Sequence, residues 1–111
     1  MKPDKLTLGL YFDAYGGLLT EQQRECLDLY CNQDLTLAEI AELMGTSRQG
    51  VHDAVSRAKA QLLRYEEVLG RVAAEQRLDE LAARLEALTA TLPQGEATDE
   101  ILKIARQIKE L

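Results

Sequence analysis

The sequence predicts an all-α protein, a helix-turn-helix domain followed by a C-terminal helical arm. Three observations carry that prediction. Leu, Ala, Glu, Gln and Arg, all strong helix formers, dominate a chain with only two Pro and no Trp. Apolar residues recur at spacings of three and four along most of its length. Between those periodic stretches stand Thr or Ser caps and Gly stops, the punctuation of short helices. At 111 residues there is room for one small domain and an extension.

Residues 5–16 read as a first helix with Leu6, Leu10, Tyr11 and Ala14 on one side. Adjacent Gly16 and Gly17 interrupt it. The second helix starts at Thr20, where T-E-Q-Q places Gln23 in capping-box position. Its apolar residues are Cys26, Leu27, Leu29, Tyr30 and Cys31, and "NQD" ends it. A third helix opens on a second capping box, Thr36 with Glu39, and buries Leu37, Ile40, Ala41 and Met44 before Gly45 stops it. Ser47 caps the fourth helix. Val51, Ala54, Val55, Ala58 and Leu62 form its apolar stripe, at spacings of 3, 1, 3 and 4.

From about residue 64 the texture becomes that of a long charged helix reaching about Thr91, with an interruption allowed at Gly70. Within it Ala74, Leu78, Leu81, Leu85, Leu88 and Leu92 alternate at 4, 3, 4, 3 and 4, an a/d seam. "PQG" at 93–95 breaks the helix, and a last one starting at 98–100 buries Ile101, Ile104, Ala105, Ile108 and Leu111. The chain therefore divides into a helix-turn-helix domain, 1–65, and a helical arm, 66–111. A single apolar stripe needs a cover. The arm is expected to form a homodimer through Leu78, Leu81, Leu85, Leu88 and Leu92, with folding back on itself through "PQG" as the competing arrangement.

The stretch 35–62 carries the chemistry. Two helices joined by a tight Gly turn present the second helix to a major groove, and that helix's free amides and dipole receive a phosphate. The residues expected to face a nucleic acid are Arg48, Gln49, His52, Asp53, Ser56, Arg57 and Lys59. Arg48 suits a guanine edge or a phosphate and Gln49 suits adenine. Asp53 repels phosphate unless a cytosine amine donates to it. Gly50, inside a helix, has no evident reason from the sequence.

Charge bears on this reading. The whole chain has 13 basic and 19 acidic residues, a net of −6. Residues 47–64 nevertheless hold Arg48, Arg57, Lys59 and Arg64 against Asp53 alone, a local +3. With a Debye length of about 8 Å at physiological salt, such a face works beside a distant negative surface. Few phosphate contacts imply weak binding and a shallow salt dependence.

The sequence offers no Gly-rich phosphate loop, no metal-ligand cluster and no nucleophile paired with a base, so an enzyme or a cofactor is not expected. His52, the single His, reads as a polar-face residue rather than a ligand. Cys26 and Cys31, five apart on one helix, point to different faces and are expected to be reduced packing residues. No apolar run nears the roughly 20 residues that span a bilayer, and "MKPDKLTLGLYFDAY" lacks a signal-peptide pattern. A cytoplasmic protein is expected, without membrane insertion.

"TLAEIAELMGTSRQGVHDAVSRAKAQL" resembles region 4 of the sigma-70 factors, whose motif has the same Glu-Ile, Gly, Ser-Arg and Val spacing. The carry-over places groove-facing positions at Arg48, Gln49, His52 and Asp53. Those factors usually carry a second Arg and a Gln where His52 and Asp53 stand. Extended upstream, "YFDAY", "LLTEQQ", "LDLYCNQDLTLAEIAE" and "SRQGVHDAVSRA" resemble the YlxM family of small bacterial helix-turn-helix proteins. That resemblance covers residues 11–70, and the tail beyond is longer than the family leads one to expect. It implies a regulatory or accessory protein of the signal recognition particle pathway. The partners it implies are DNA, the particle's RNA or the particle's GTPase. The rival class is an acidic protein–protein adaptor that binds no nucleic acid.

Overall fold

A computed structural model describes residues 4–111, and its regular structure is entirely helical. Among the described residues the order is α1 (Lys5–Tyr15), a 3₁₀ turn (Gly16–Leu18), α2 (Glu21–Cys31), α3 (Leu37–Met44), α4 (Arg48–Leu69), α5 (Arg71–Thr89) and α6 (Glu96–Lys109). No helix is long and apolar enough to cross a membrane among the described residues.

The starts of α2, α3 and α4 follow the caps read from the sequence, whereas α6 begins at Glu96, ahead of the expected 98–100. Thr20 accepts from the Gln23 amide at 3.2 Å while the Gln23 side chain accepts from the Thr20 amide at 3.3 Å. Thr36 and Glu39 make the same reciprocal pair, both bonds at 3.2 Å. Each such cap is worth about 1 kcal/mol, because it satisfies amides the helix itself leaves open. Asp4 caps α1 by accepting from the Thr7 amide at 2.7 Å, a cap the sequence reading passed over. Helix α4 runs past residue 65 to Leu69 and stops at Gly70, whose φ of 59° is left-handed. There the chain divides into two compact units, the second being Arg71–Leu111.

In the first unit α4 is the spine against which α1, α2 and α3 pack. Val51, Val55, Ala58 and Leu62 line its inner face, all buried, as are Leu8, Tyr15, Leu27 and Ile40 on the helices packed against it. Full burial of a Leu, Ile or Val contributes about 1.5–3 kcal/mol, so these positions hold the unit together. Cys26 is wholly buried, its Sγ 3.3 Å from Met44 Sδ, while Cys31 is half-buried, and both are free thiols.

The first helix turns a different face inward from the one expected. Leu8 and Tyr15 are buried, whereas Leu6 is 78% exposed and Leu10 40%. Leu, Tyr and Phe occupy several sides of α1, so periodicity does not choose among them. The choice falls to Tyr15, whose hydroxyl donates to Glu66 Oε1 at 2.5 Å and whose ring lies 6.0 Å from that of Tyr65. Gly16 keeps a helical φ of −55°. Its lack of a side chain serves packing, since a Cβ would sit 3.3 Å from the Phe12 ring.

The second unit is a helical hairpin in which α6 folds back along α5. Its two helices meet through small residues: Ala82, Thr89, Thr98 and Ala105 are buried. The leucine seam is not the line of contact. Leu78 is half-buried, but Leu81, Leu85, Leu88 and Leu92 remain exposed. On α6 the expected stripe is likewise split, with Ala105 buried, Ile101 and Ile108 half-buried, and Ile104 and Leu111 exposed. Small residues win the contact because they let the two backbones approach closely, which leaves the larger side chains at the flank.

Candidate nucleic-acid interface

The turn between α3 and α4 is fixed by three local devices. Gly45 takes a left-handed φ of 66°, and the amides of Gly45 and Thr46 both donate to the Ala41 carbonyl. Ser47 then caps α4, its hydroxyl accepting from the Gly50 amide at 2.9 Å. Gly50, unexplained from the sequence, lies against this cap: a Cβ there would meet Thr46 Oγ1 at 2.9 Å and Ser47 Oγ at 3.1 Å. The glycine lets the turn fold down onto the first turn of α4.

With Val51, Val55, Ala58 and Leu62 turned inward, all of Arg48, Gln49, His52, Asp53, Ser56 and Arg57 are exposed, and Lys59 is half-buried. They do not form a single basic surface. At about 100° per residue, Arg48, His52 and Lys59 fall within ~40° of one another, while Arg57 stands ~180° round from Arg48. Arg64 joins Arg57 on that second flank. Asp53 and Gln49 occupy the space between the flanks.

Asp53 is held within the helix surface. Gln49 Nε2 donates to its Oδ1 at 3.0 Å and His52 Nδ1 lies 3.5 Å from the same oxygen. Arg48 and Arg57 make no ion pair with any described residue, so their charge faces solvent. The first flank borders a surface cleft between α4 and the ends of α2 and α3. His52, Ser56, Lys59, Ala60 and Leu63 line it from one side, Tyr30 and Leu37 from the other.

Tyr30, read from the sequence as a packing residue, organises this end of the face. Lys59 Nζ stands 4.5 Å from its ring centroid and Lys5 Nζ 4.9 Å. Lys5 also pairs with Asp34, and Asp34 sits at a left-handed φ of 55°. The hydrogen bond between them raises the Lys5 pKa and lowers that of Asp34. Burial pushes the Cys31 thiol up, and the nearby Lys59 and Lys5 pull it partly back. The sequence carried one usable signal for this cluster, an aromatic residue in the last turn of a helix. Its two lysines come from α1 and α4, far apart along the chain.

Comparison with known proteins reaches further along the chain than residues 11–70. A family model described as UPF0122, "Putative helix-turn-helix protein, YlxM / p13 like", matches residues 3–103. A UPF0122 protein of Thermoanaerobacter sp. (strain X514) is 40% identical over 115 aligned residues, covering 100% of this chain and 98% of the relative. One from Symbiobacterium thermophilum is 47% identical over 87 residues, covering 75% of this chain and 81% of its own. One from Acetivibrio thermocellus is 56% identical over 63 residues, covering 57% and 54%. The arm is thus shared with relatives and is not an addition peculiar to this chain. The chain belongs to the UPF0122 family of YlxM / p13-like helix-turn-helix proteins.

Proposed function

We propose that this protein is a non-enzymatic regulator or accessory factor of the bacterial signal recognition particle pathway, working in the cytoplasm and binding nucleic acid through the exposed face of α4. The observation that carries the reading is the Gly45–Ser47 turn, which presents a helix whose 47–64 segment has a net charge of +3 in a chain of −6. The nucleic acid is duplex DNA or the particle's RNA. Contact is made by Arg48, His52, Ser56 and Lys59 on one flank, with Gln49 and Asp53 at the centre and Arg57 on the other. Two copies act together through the second unit.

The test is a salt titration of binding to duplex DNA and to a transcript of the particle's RNA, with Arg48→Ala and Arg57→Ala. Each Arg in contact with a phosphate should lower the salt slope by about 1 when removed. Absence of salt-sensitive binding to either probe at low ionic strength overturns the proposal. A second reading is favoured by Asp53 and by the cleft's Tyr30, Leu37 and Leu63: an adaptor whose partner is a protein, such as the particle's GTPase. In that case the GTPase binds and neither nucleic acid does.

A further inference from the structure

The second unit buries few side chains for its size. Val72, Ala82, Thr89, Thr98 and Ala105 are its buried residues, and none is larger than Val. A unit of about 40 residues with so thin a core usually needs a further staple, and oligomerisation is one. Meanwhile Leu81 (37%), Leu85 (38%), Leu88 (65%), Ile104 (45%) and Leu111 (71%) stay exposed.

These five residues share one side of the hairpin. Leu81, Leu85 and Leu88 lie ~60–120° round α5 from its contact with α6, and Ile104 and Leu111 lie ~100–120° round α6 from its contact with α5, in the same rotational sense. Because the two helices run antiparallel, equal offsets in one sense fall on the same side. The Lys109–Glu86 ion pair, at 2.8 Å, occupies the opposite side. The result is an apolar face two helices wide.

We propose that this face packs against the same face of a second copy, forming a four-helix bundle through the second unit. The proposal deepens the functional reading by naming the surface that joins two copies, and its interface involves the second unit alone. Two observations select a second copy as the occupant. The exposed parts of the five side chains amount to roughly 500 Å² per copy, so pairing removes roughly 1,000 Å² from water before any rim residue is counted, the scale a specific interface requires. The rims are also complementary in charge. Beyond Leu88 the α5 edge carries Arg84, beyond Ile104 the α6 edge carries Glu100, and neither makes an ion pair with a described residue. A twofold axis along the helices lays α5 of one copy over α6 of the other. Arg84 then meets Glu100 of the partner subunit at the rim.

Light scattering on the full chain without nucleic acid tests the inference separately from the function. The expected mass is twice the 12.4 kDa of one chain. Leu85→Glu and Ile104→Glu should each give the single-chain mass with helical circular dichroism retained. Arg84→Glu, fully at the surface, should weaken the dimer about tenfold, and Arg84→Glu with Glu100→Arg should restore it. A single-chain mass for the unaltered protein at high micromolar concentration overturns the proposal. So does a dimer that survives both apolar substitutions, or failure of the paired charge reversal to restore what Arg84→Glu loses.

Discussion

Gln49 donates its side-chain amide to Asp53 one turn further along α4, at 3.0 Å. One contact thereby occupies both the residue best suited to read an adenine and the one carboxylate of the 47–64 segment. Gln49 must release Asp53 before it reaches a base, and a released Asp53 repels the backbone beside it. Asp53→Asn removes that charge while keeping a hydrogen-bonding partner for Gln49. Binding to duplex DNA or to the particle's RNA should tighten several-fold at low salt, about 1 kcal/mol, and the gain should shrink as salt rises. Fluorescence anisotropy at two ionic strengths checks it.

Gly50→Ala would ordinarily stabilise a helix interior by up to about 1 kcal/mol. Here the new methyl would meet Thr46 Oγ1 at 2.9 Å and Ser47 Oγ at 3.1 Å. Ser47 has little freedom to yield without losing its bond to the Gly50 amide, and with it a cap worth about 1 kcal/mol. The substitution should therefore cost about 1 kcal/mol, which lowers Tm by several degrees for a domain of this size. Thr46→Ala in the same chain removes the tighter of the two contacts and should recover part of the loss. Thermal melts of the two single variants and the double variant decide the matter.

What the sequence disclosed was mainly local. Thr20, Thr36, Ser47 and Gly45 act within a few residues of themselves, so their spacing was enough to place those helix ends, whereas Gly70, read only as an allowed interruption of one long helix, ends α4. The inward stripe of α4 was equally plain, because its other faces are polar. Choices between competing apolar surfaces were not legible. Helix α1 offers several, and the Tyr15 partnership with Glu66, 51 residues away, settles which is used. In α5 the heptad leucines outshone Ala82 and Thr89, which are small enough for close approach. The same limit applies to the site. The exposure of Arg48, Gln49, His52 and Asp53 could be read from periodicity, but the Tyr30 cluster required tertiary structure.

Cys26 makes the stability of the first unit sensitive to alkaline pH. Burial raises its thiol pKa above the ordinary 9.0, with the charge of Glu25 acting in the same direction. The folded protein therefore keeps a proton that the unfolded chain gives up. This contribution is fully present below pH 9.0 and declines as pH rises beyond it. Urea unfolding midpoints of the wild type and Cys26→Ala, compared at pH 8 and pH 10, should show the extra decline only in the wild type. An equal decline in both would assign the pH sensitivity to other groups.

The Tyr30 ring, not its hydroxyl, holds the Lys59 ammonium 4.5 Å from its centroid. A cation over a ring face at a partly exposed site contributes about 0.5–1 kcal/mol, and the Tyr30 hydroxyl makes no hydrogen bond with a described residue. Tyr30→Phe should thus leave stability within a few tenths of a kcal/mol of the wild type. Tyr30→Leu keeps an apolar side chain but removes the quadrupole, and should cost about 1 kcal/mol. It also frees Lys59 from its fixed position along the cleft. If Lys59 contacts a phosphate in the bound state, a loose lysine spends conformational entropy on reaching it, and Tyr30→Leu should weaken nucleic-acid binding a few-fold while Tyr30→Phe does not. Equal binding by both variants would place Lys59 outside the interface.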